Sequence, residues 1–323
     1  MEPLFLKGAV KDYIWGGQKL KTLFGKKSSG DYIAESWELS CHSDGCSAVI
    51  NSKEGNTPLT QYVKAHGRKQ VLGKSCGHIN DVPIIKLIDA KEPLSVQVHP
   101  DDDYARSKGF ANGKTEMWYV IDAEEGAEIV YGIAYPITKD EFREHIEKGT
   151  LDRVLKYVPV KKGDVFYIPA GTIHAIGKGI LIAEVQQNCN LTYRVFDYGR
   201  KDADGKEREL HIEDAIEAAN LTPGVWENPY PTWRFPWGEK QTLSYCQYFV
   251  TNCITVYSER KFEVKPSSFT HILVTDGIGL LFTESGDYSI KKGDSVLLPA
   301  GIGTCRINGS LRYIETYLPS DDE

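Results

Sequence analysis

Leu94-Ser95-Val96-Gln97-Val98-His99-Pro100 alternates polar and apolar side chains through its central five residues. In a strand, residues i and i+2 share a face. Ser95, Gln97 and His99 therefore form one polar row, and Val96 and Val98 turn the other way into apolar packing. A polar row backed by an apolar one fits a β-barrel with a wet, functional interior. Two more donor side chains, Glu116 and His174, follow in similarly ordered surroundings. Gln97, His99, Glu116 and His174 together offer two imidazoles and two oxygens, a set suited to a divalent transition metal such as zinc.

Outward from this stretch the chain reads as short strands punctuated by glycine, proline and aspartate. Expected strands cover Ile84 to Ile88, Ser95 to His99, Met117 to Ile121, Val165 to Ile168 and Ile180 to Val185. Helices are expected at Thr60 to Val71, at Lys139 to Lys148 behind a Thr138/Glu141 capping box, and at His211 to Asn220. Asp101-Asp102-Asp103 reads as a helix N-terminus, where carboxylates complement the dipole, in preference to a calcium site. Many strands and few helices favour barrels or sandwiches over a doubly wound parallel sheet.

An internal repeat sharpens the architecture. Lys161-Lys162-Gly163-Asp164 leads into Pro169-Ala170-Gly171, and Lys291-Lys292-Gly293-Asp294 leads into Pro299-Ala300-Gly301 at the same spacing, 130 positions later. Gly-Asp supplies a tight turn into a strand and Pro-Ala-Gly a turn out of it. The expectation is a mainly β chain with two related barrels in tandem and a few short helices. The first is assigned to residues 1–238 and the second to residues 239–323. His174 has Thr304 as its counterpart in the second copy, so only the first barrel is expected to bind metal. Pro223 to Gly238, carrying Trp226, Trp233 and Trp237, reads as an ordered crossing packed between the two. Lys201 to Arg208 reads as a charged loop with a turn at Asp204-Gly205.

Length and composition set the outer bounds. At 323 residues the chain has room for about two domains. A net charge of -7 gives it no general attraction for nucleic acid or anionic membrane, so an anionic substrate must be met by a few local cations. No stretch approaches a membrane span and no signal peptide is evident. Seven cysteines without CxxC spacing read as free thiols in a reducing compartment, and the expected location is the cytoplasm.

Gly163-Asp164-Val165-Phe166-Tyr167-Ile168-Pro169-Ala170-Gly171-Thr172-Ile173-His174-Ala175 resembles the second metal-binding motif of the cupins. Together with Ser95 to Asp101, Lys114 to Tyr119 and Glu184 to Asn188, the chain is similar to type I mannose-6-phosphate isomerases of the short bacterial form. Asp12 to Gly17 and Ala34 to Glu38 share that similarity, which spans most of Met1 to Asn220. The resemblance implies two jelly-roll cupin barrels and one zinc ion per chain, held by Gln97, His99, Glu116 and His174. It places phosphate-binding and active-site roles on Ser95, Lys86 and Arg194, with Lys114 and Glu184 beside them. The family's large helical insertion has no counterpart here.

The implied activity interconverts mannose 6-phosphate and fructose 6-phosphate through an enediol(ate), in a monomer or homodimer. An isomerase for another sugar phosphate and a non-catalytic sugar-binding cupin are the alternatives. Such a reaction needs stabilisation of a developing enediolate oxygen and a base that reaches the carbon-bound proton. Glu184, His99 and Lys114 are the candidate bases, with Glu184 preferred and Lys114 assigned to a sugar oxygen. Arg194, in a half-buried strand, needs an anionic partner, and Asp197, Glu184 or the substrate would serve.

Overall fold

The alternating segments of the first half form two antiparallel sheets that face one another. The computed structural model describes residues 1–201, 205–224 and 230–320. One sheet has five strands in the order Leu155–Pro159, Glu128–Ile133, His174–Ile176, Val96–Val98, Tyr193–Phe196. The other has six, in the order Val165–Ile168, Glu116–Ala123, Ile180–Gln186, Ile84–Ala90, Glu35–Leu39, Ala9–Lys11. Trp15, Ile88, Trp118, Tyr131, Phe166 and Ile182 fill part of the space between them as one apolar cluster. The expected barrels are thus realised as facing sheets of jelly-roll kind and not as closed cylinders.

An eleven-stranded sheet makes up the remainder. It contains every strand from Thr232–Phe235 onward and also takes Leu4–Lys7, Ala48–Val49 and Thr57–Pro58 from the start of the chain. Leu4 pairs with Leu297 and Leu6 with Ser295. One apolar cluster accordingly joins Leu4, Leu39 and Met117 to Phe269, Leu297 and Ile314.

The repeat is realised bond for bond. Lys161 N–H donates to Asp164 Oδ2 at 2.9 Å, and Lys291 N–H to Asp294 Oδ2 at 2.8 Å. The strands that follow, Val165–Ile168 and Ser295–Leu298, keep the 130-residue offset, but the first is an edge strand and the second lies between Thr270–Thr283 and Leu4–Lys7. Both turns need glycine, with φ of 92° at Gly163 and 94° at Gly293. A Cβ at Gly163 would meet nothing within 4 Å, whereas at Gly293 it would lie 2.4 Å from Phe24 O. We therefore expect Gly163→Ala to cost about 1–2 kcal/mol of backbone strain, and Gly293→Ala about twice that or more. Chemical denaturation of the two variants checks this, and equal losses would contradict it.

Helices differ from expectation in detail. The segment expected as one helix from Thr60 to Val71 is two, Leu59–His66 and Arg68–Leu72, because the backbone leaves helical geometry at Gly67. Lys139–Glu147 begins behind the expected Thr138/Glu141 capping box, and Ile212–Ala218 follows His211. Asp101 caps Asp102–Ser107 by accepting from Tyr104 N–H at 2.8 Å. The tryptophan-rich crossing is corrected. Thr232–Phe235 is an edge strand with all four residues exposed, while Trp226 lies outside the described residues.

Candidate active site

Strand register places the polar row. His174 and Arg194 both pair with Gln97, from the strands on either side of it. Opposite, Lys86 pairs with Glu184, Glu184 with Trp118, and Gln186 with Glu116. The period of two then brings Glu116, Trp118, Glu184 and Lys86 onto one face.

His99, Glu116 and His174 converge closely enough to hold one ion, and all three are buried. His99 Nδ1 bonds to Leu191 O at 2.9 Å, and His174 Nδ1 to Thr172 O at 2.8 Å. A carbonyl only accepts, so both protons sit on Nδ1 and both Nε2 atoms turn a lone pair inward. These face Glu116, with His174 Nε2 3.3 Å from Oε1 and His99 Nε2 3.5 Å from Oε2. Gln97 closes the group, its amide 3.3 Å from His174 Nε2, and either amide atom fits that position by rotation about its last bond.

Lys114 Nζ, 2.8 Å from Glu116 Oε2 and 2.9 Å from His99 Nε2, supplies positive charge among these atoms. Acceptors converging on a cation in a water-poor pocket are what a divalent metal requires. The residues fit the group. Burial, reinforced by Lys114, holds His99 far below the usual imidazole range, and burial lowers His174 to about 4. Both are therefore in the neutral form that binds metal.

Above this group lies a cavity of about 900 Å³. Lys86, Ser95, Gln97, Lys114, Glu184 and Arg194 all line it. Lys86 Nζ lies 3.4 Å from Glu184 Oε1, 3.7 Å from Glu35 Oε2, and over the Trp37 ring. Burial alone would raise Glu184, but Lys86 and Lys114 hold its carboxyl below the usual range. Burial likewise opposes the charge on Lys86, yet Glu184 and Glu35 keep it raised.

Glu35 and Arg208 are among the cavity residues that escaped the sequence reading. Glu35 accepts from Trp37 Nε1 at 2.6 Å, and its alternation with Trp37 was the available signal. Arg208 had been read as part of a solvated turn. It lines the cavity, with Asp197 Oδ2 accepting from its Nε at 2.7 Å. Of the partners left open for Arg194, one is ruled out. Asp197 belongs to Arg200 and Arg208, and Arg194 Nη1 donates to Glu209 O at 2.8 Å. Among the described residues, Arg194 Nε is buried without a hydrogen-bond partner. Burial, then the neighbouring Arg208, lowers its pKa, so it stands in positive potential with a donor to spare.

Comparison with known proteins gives this arrangement its relatives. Residues 4–144 match the catalytic-domain model of type I phosphomannose isomerase, and residues 239–318 match the mannose-6-phosphate isomerase cupin domain. The chain is 38% identical to mannose-6-phosphate isomerase of Streptococcus mutans, covering 98% of each. It is 39% identical to mannose-6-phosphate isomerase ManA of Bacillus subtilis, over 98% of this chain and 99% of that one. The chain belongs to the type I phosphomannose isomerases. A crystal structure of the Bacillus subtilis mannose 6-phosphate isomerase superposes with a TM-score of 0.91 at 34% identity, covering 98% of this chain and 99% of that one. A variant of the Salmonella typhimurium phosphomannose isomerase shares the fold at 14% identity, with a TM-score of 0.79 over 99% of this chain and 100% of that one.

This member of the family carries a pH liability in its core. Burial lowers His174 to about 4 and His271 to about 3, whereas an unfolded histidine titrates near 6.5. As pH falls from about 6.5 to about 4, the unfolded chain takes up protons that the folded chain does not, so stability declines. Above about 6.5 these groups add no slope. Each such histidine costs up to about 1.4 kcal/mol per pH unit inside the window. Melting temperatures of metal-free protein between about pH 8 and pH 5 test this, and an unchanged value throughout would contradict it.

Proposed function

We propose that the chain interconverts mannose 6-phosphate and fructose 6-phosphate with one zinc ion bound by Gln97, His99, Glu116 and His174. The observation that carries this reading is the buried, unpartnered Nε of Arg194 in a cavity directly above the ligand group. The cavity sets Lys86, Lys114, Arg194 and Arg208 against Glu35, Asp44 and Glu184, an excess of positive charge in an acidic protein. A phosphate dianion answers that excess, and a planar guanidinium suits its oxygens. Arg194 takes the phosphosugar through those oxygens, with Arg208 beside it and Ser95 and Lys86 as further donors.

The zinc ion, when bound, supplies Lewis acidity that favours negative charge on the sugar oxygens of C1 and C2. Glu184, ionised between two lysines, takes the proton from C2 of the aldose and returns it to C1. Lys114 hands a proton to O1 and recovers one from O2, so the net change moves two hydrogens and no electrons leave the sugar. Residues 1–238 carry this chemistry, and residues 239–323 form a companion unit. The cytoplasm, where the phosphosugars are made, is its proposed location. Among the described residues no helix is long and apolar enough to cross a membrane.

A coupled assay with mannose 6-phosphate and glucose 6-phosphate, run before and after chelation and joined to metal analysis, tests the reading. Turnover of mannose 6-phosphate that is lost on chelation and restored by zinc is expected. Undiminished turnover in protein shown to be metal-free would overturn the metal assignment. Preference for glucose 6-phosphate would overturn the substrate.

A further inference from the structure

Asp102 sits where the C-terminal part of the chain meets the segment that delivers Lys114 and Glu116. Its Oδ1 accepts from Gly113 N–H at 2.7 Å and from Gln187 Nε2 at 3.0 Å. Its Oδ2 accepts from the Tyr248 hydroxyl at 2.9 Å. Tyr248 stands in the tight turn between Gly238–Tyr245 and Val250–Val256, where Cys246 N–H donates to Phe249 O at 3.1 Å. The same Gln187 uses its Oε1 to accept from Thr115 N–H at 2.8 Å, and Lys114 N–H donates to Pro100 O at 3.0 Å. Of these three consecutive amides, Gly113 is held by the Asp102 carboxylate directly, Thr115 through Gln187, and Lys114 by Pro100 O.

The fit has no slack. A Cβ at Gly113 would fall 2.4 Å from the carbonyl carbon of Asp101 and 2.6 Å from Asp102 N. A second cavity of about 320 Å³ borders Asp102, Gln187 and Tyr248, and shares Asn80, Asn112 and Asn188 with the catalytic cavity. Displacement at the junction thus has only one layer of side chains to cross.

We propose that Tyr248 is a positioning residue for the isomerase centre: through Asp102 it fixes the Gly113–Thr115 backbone and so the seat of the Lys114 ammonium and the Glu116 carboxylate. The C-terminal unit then acts on the reaction as well as on stability. Positional errors well under 1 Å matter at such sites, because reacting groups lose alignment before they lose contact. Tyr248→Phe removes one hydroxyl and leaves the ring.

The test has two arms, of which only the kinetic one rests on the proposed activity. Hydrogen exchange of the Gly113 and Thr115 amides in Tyr248→Phe should accelerate about tenfold or more relative to amides of the strand Gly286–Lys291, which among the described residues pairs only with Thr270–Thr283. With mannose 6-phosphate, kcat should fall about 5–10-fold while KM stays within about twofold, since phosphate capture by Arg194 is untouched. Asp102→Ala should show the same pattern more strongly, and adding Tyr248→Phe to it should change little. A lowered melting temperature with unchanged exchange at Gly113 and Thr115 would make Tyr248 mere scaffold and overturn the proposal, as would unchanged kcat. If the wild-type protein fails to isomerise mannose 6-phosphate, the functional reading falls, and the exchange arm alone decides the junction.

Discussion

His174→Ala is expected to remove bound metal and at least about a thousandfold of turnover together. The imidazole cannot be replaced from nearby. Its Nδ1 is committed to Thr172 O, which aims Nε2 at Glu116 and Gln97 with no freedom to swing away. Truncation leaves Glu116 fully buried, with Oε1 facing an empty space and only His99 as imidazole donor. A water entering that space restores neither the ligand's charge donation nor its fixed direction. Gln97→Ala should be milder in metal affinity, because a neutral amide is a weaker ligand than an imidazole. Metal content per chain and turnover, measured on the same samples, check both. Full metal loading with full activity in His174→Ala would remove this histidine from the centre.

Arg260→Ala should destabilise the protein by about 3–5 kcal/mol, far from the active site's own residues. Arg260 Nη1 donates to Glu315 Oε1 at 2.6 Å and to the Tyr313 hydroxyl, and Nη2 lies 3.3 Å from Glu315 Oε2. The guanidinium also lies over the rings of Phe262, Trp237 and Tyr313. Removing it leaves Glu315, 4% exposed, as an uncompensated buried carboxylate with Asn252 as a distant donor at 3.5 Å. Replacing both partners, Arg260→Met with Glu315→Leu, should recover much of the loss, since two apolar groups leave no charge behind. Denaturant unfolding of the three variants checks the order. A single variant as stable as the double would show that the ion pair is not what holds this sheet.

The sequence carried the parts of this structure that repeat or alternate. The polar row at Ser95, Gln97 and His99 and the 130-residue repeat obey local rules, and both turns kept the same aspartate bond in the folded chain. Thr138 and Glu141 announced a helix because the capping box is completed within one turn. Long-range partners were not legible. Arg208 reads as a solvated turn residue until Asp197, eleven positions back, is seen to turn it into the cavity. Asp197, Glu184 and the substrate are all open partners for Arg194 in the sequence, because no local sign shows that two other arginines claim Asp197. The Tyr248 to Asp102 bond joins residues 146 positions apart, and nothing in either neighbourhood hints at the other.

The pairing of Leu4–Lys7 with Ser295–Leu298 has a consequence for a chain made one residue at a time. At about 5–20 residues per second, this first strand waits roughly 15–60 s on the ribosome before its partner is even synthesised. Through that interval only the short strand Ala48–Val49 can pair with it, and Leu4 and Leu6 lack most of the sheet that buries them in the finished protein. Nascent molecules therefore carry an incompletely paired apolar strand, and their yield should depend on chaperones that shield it.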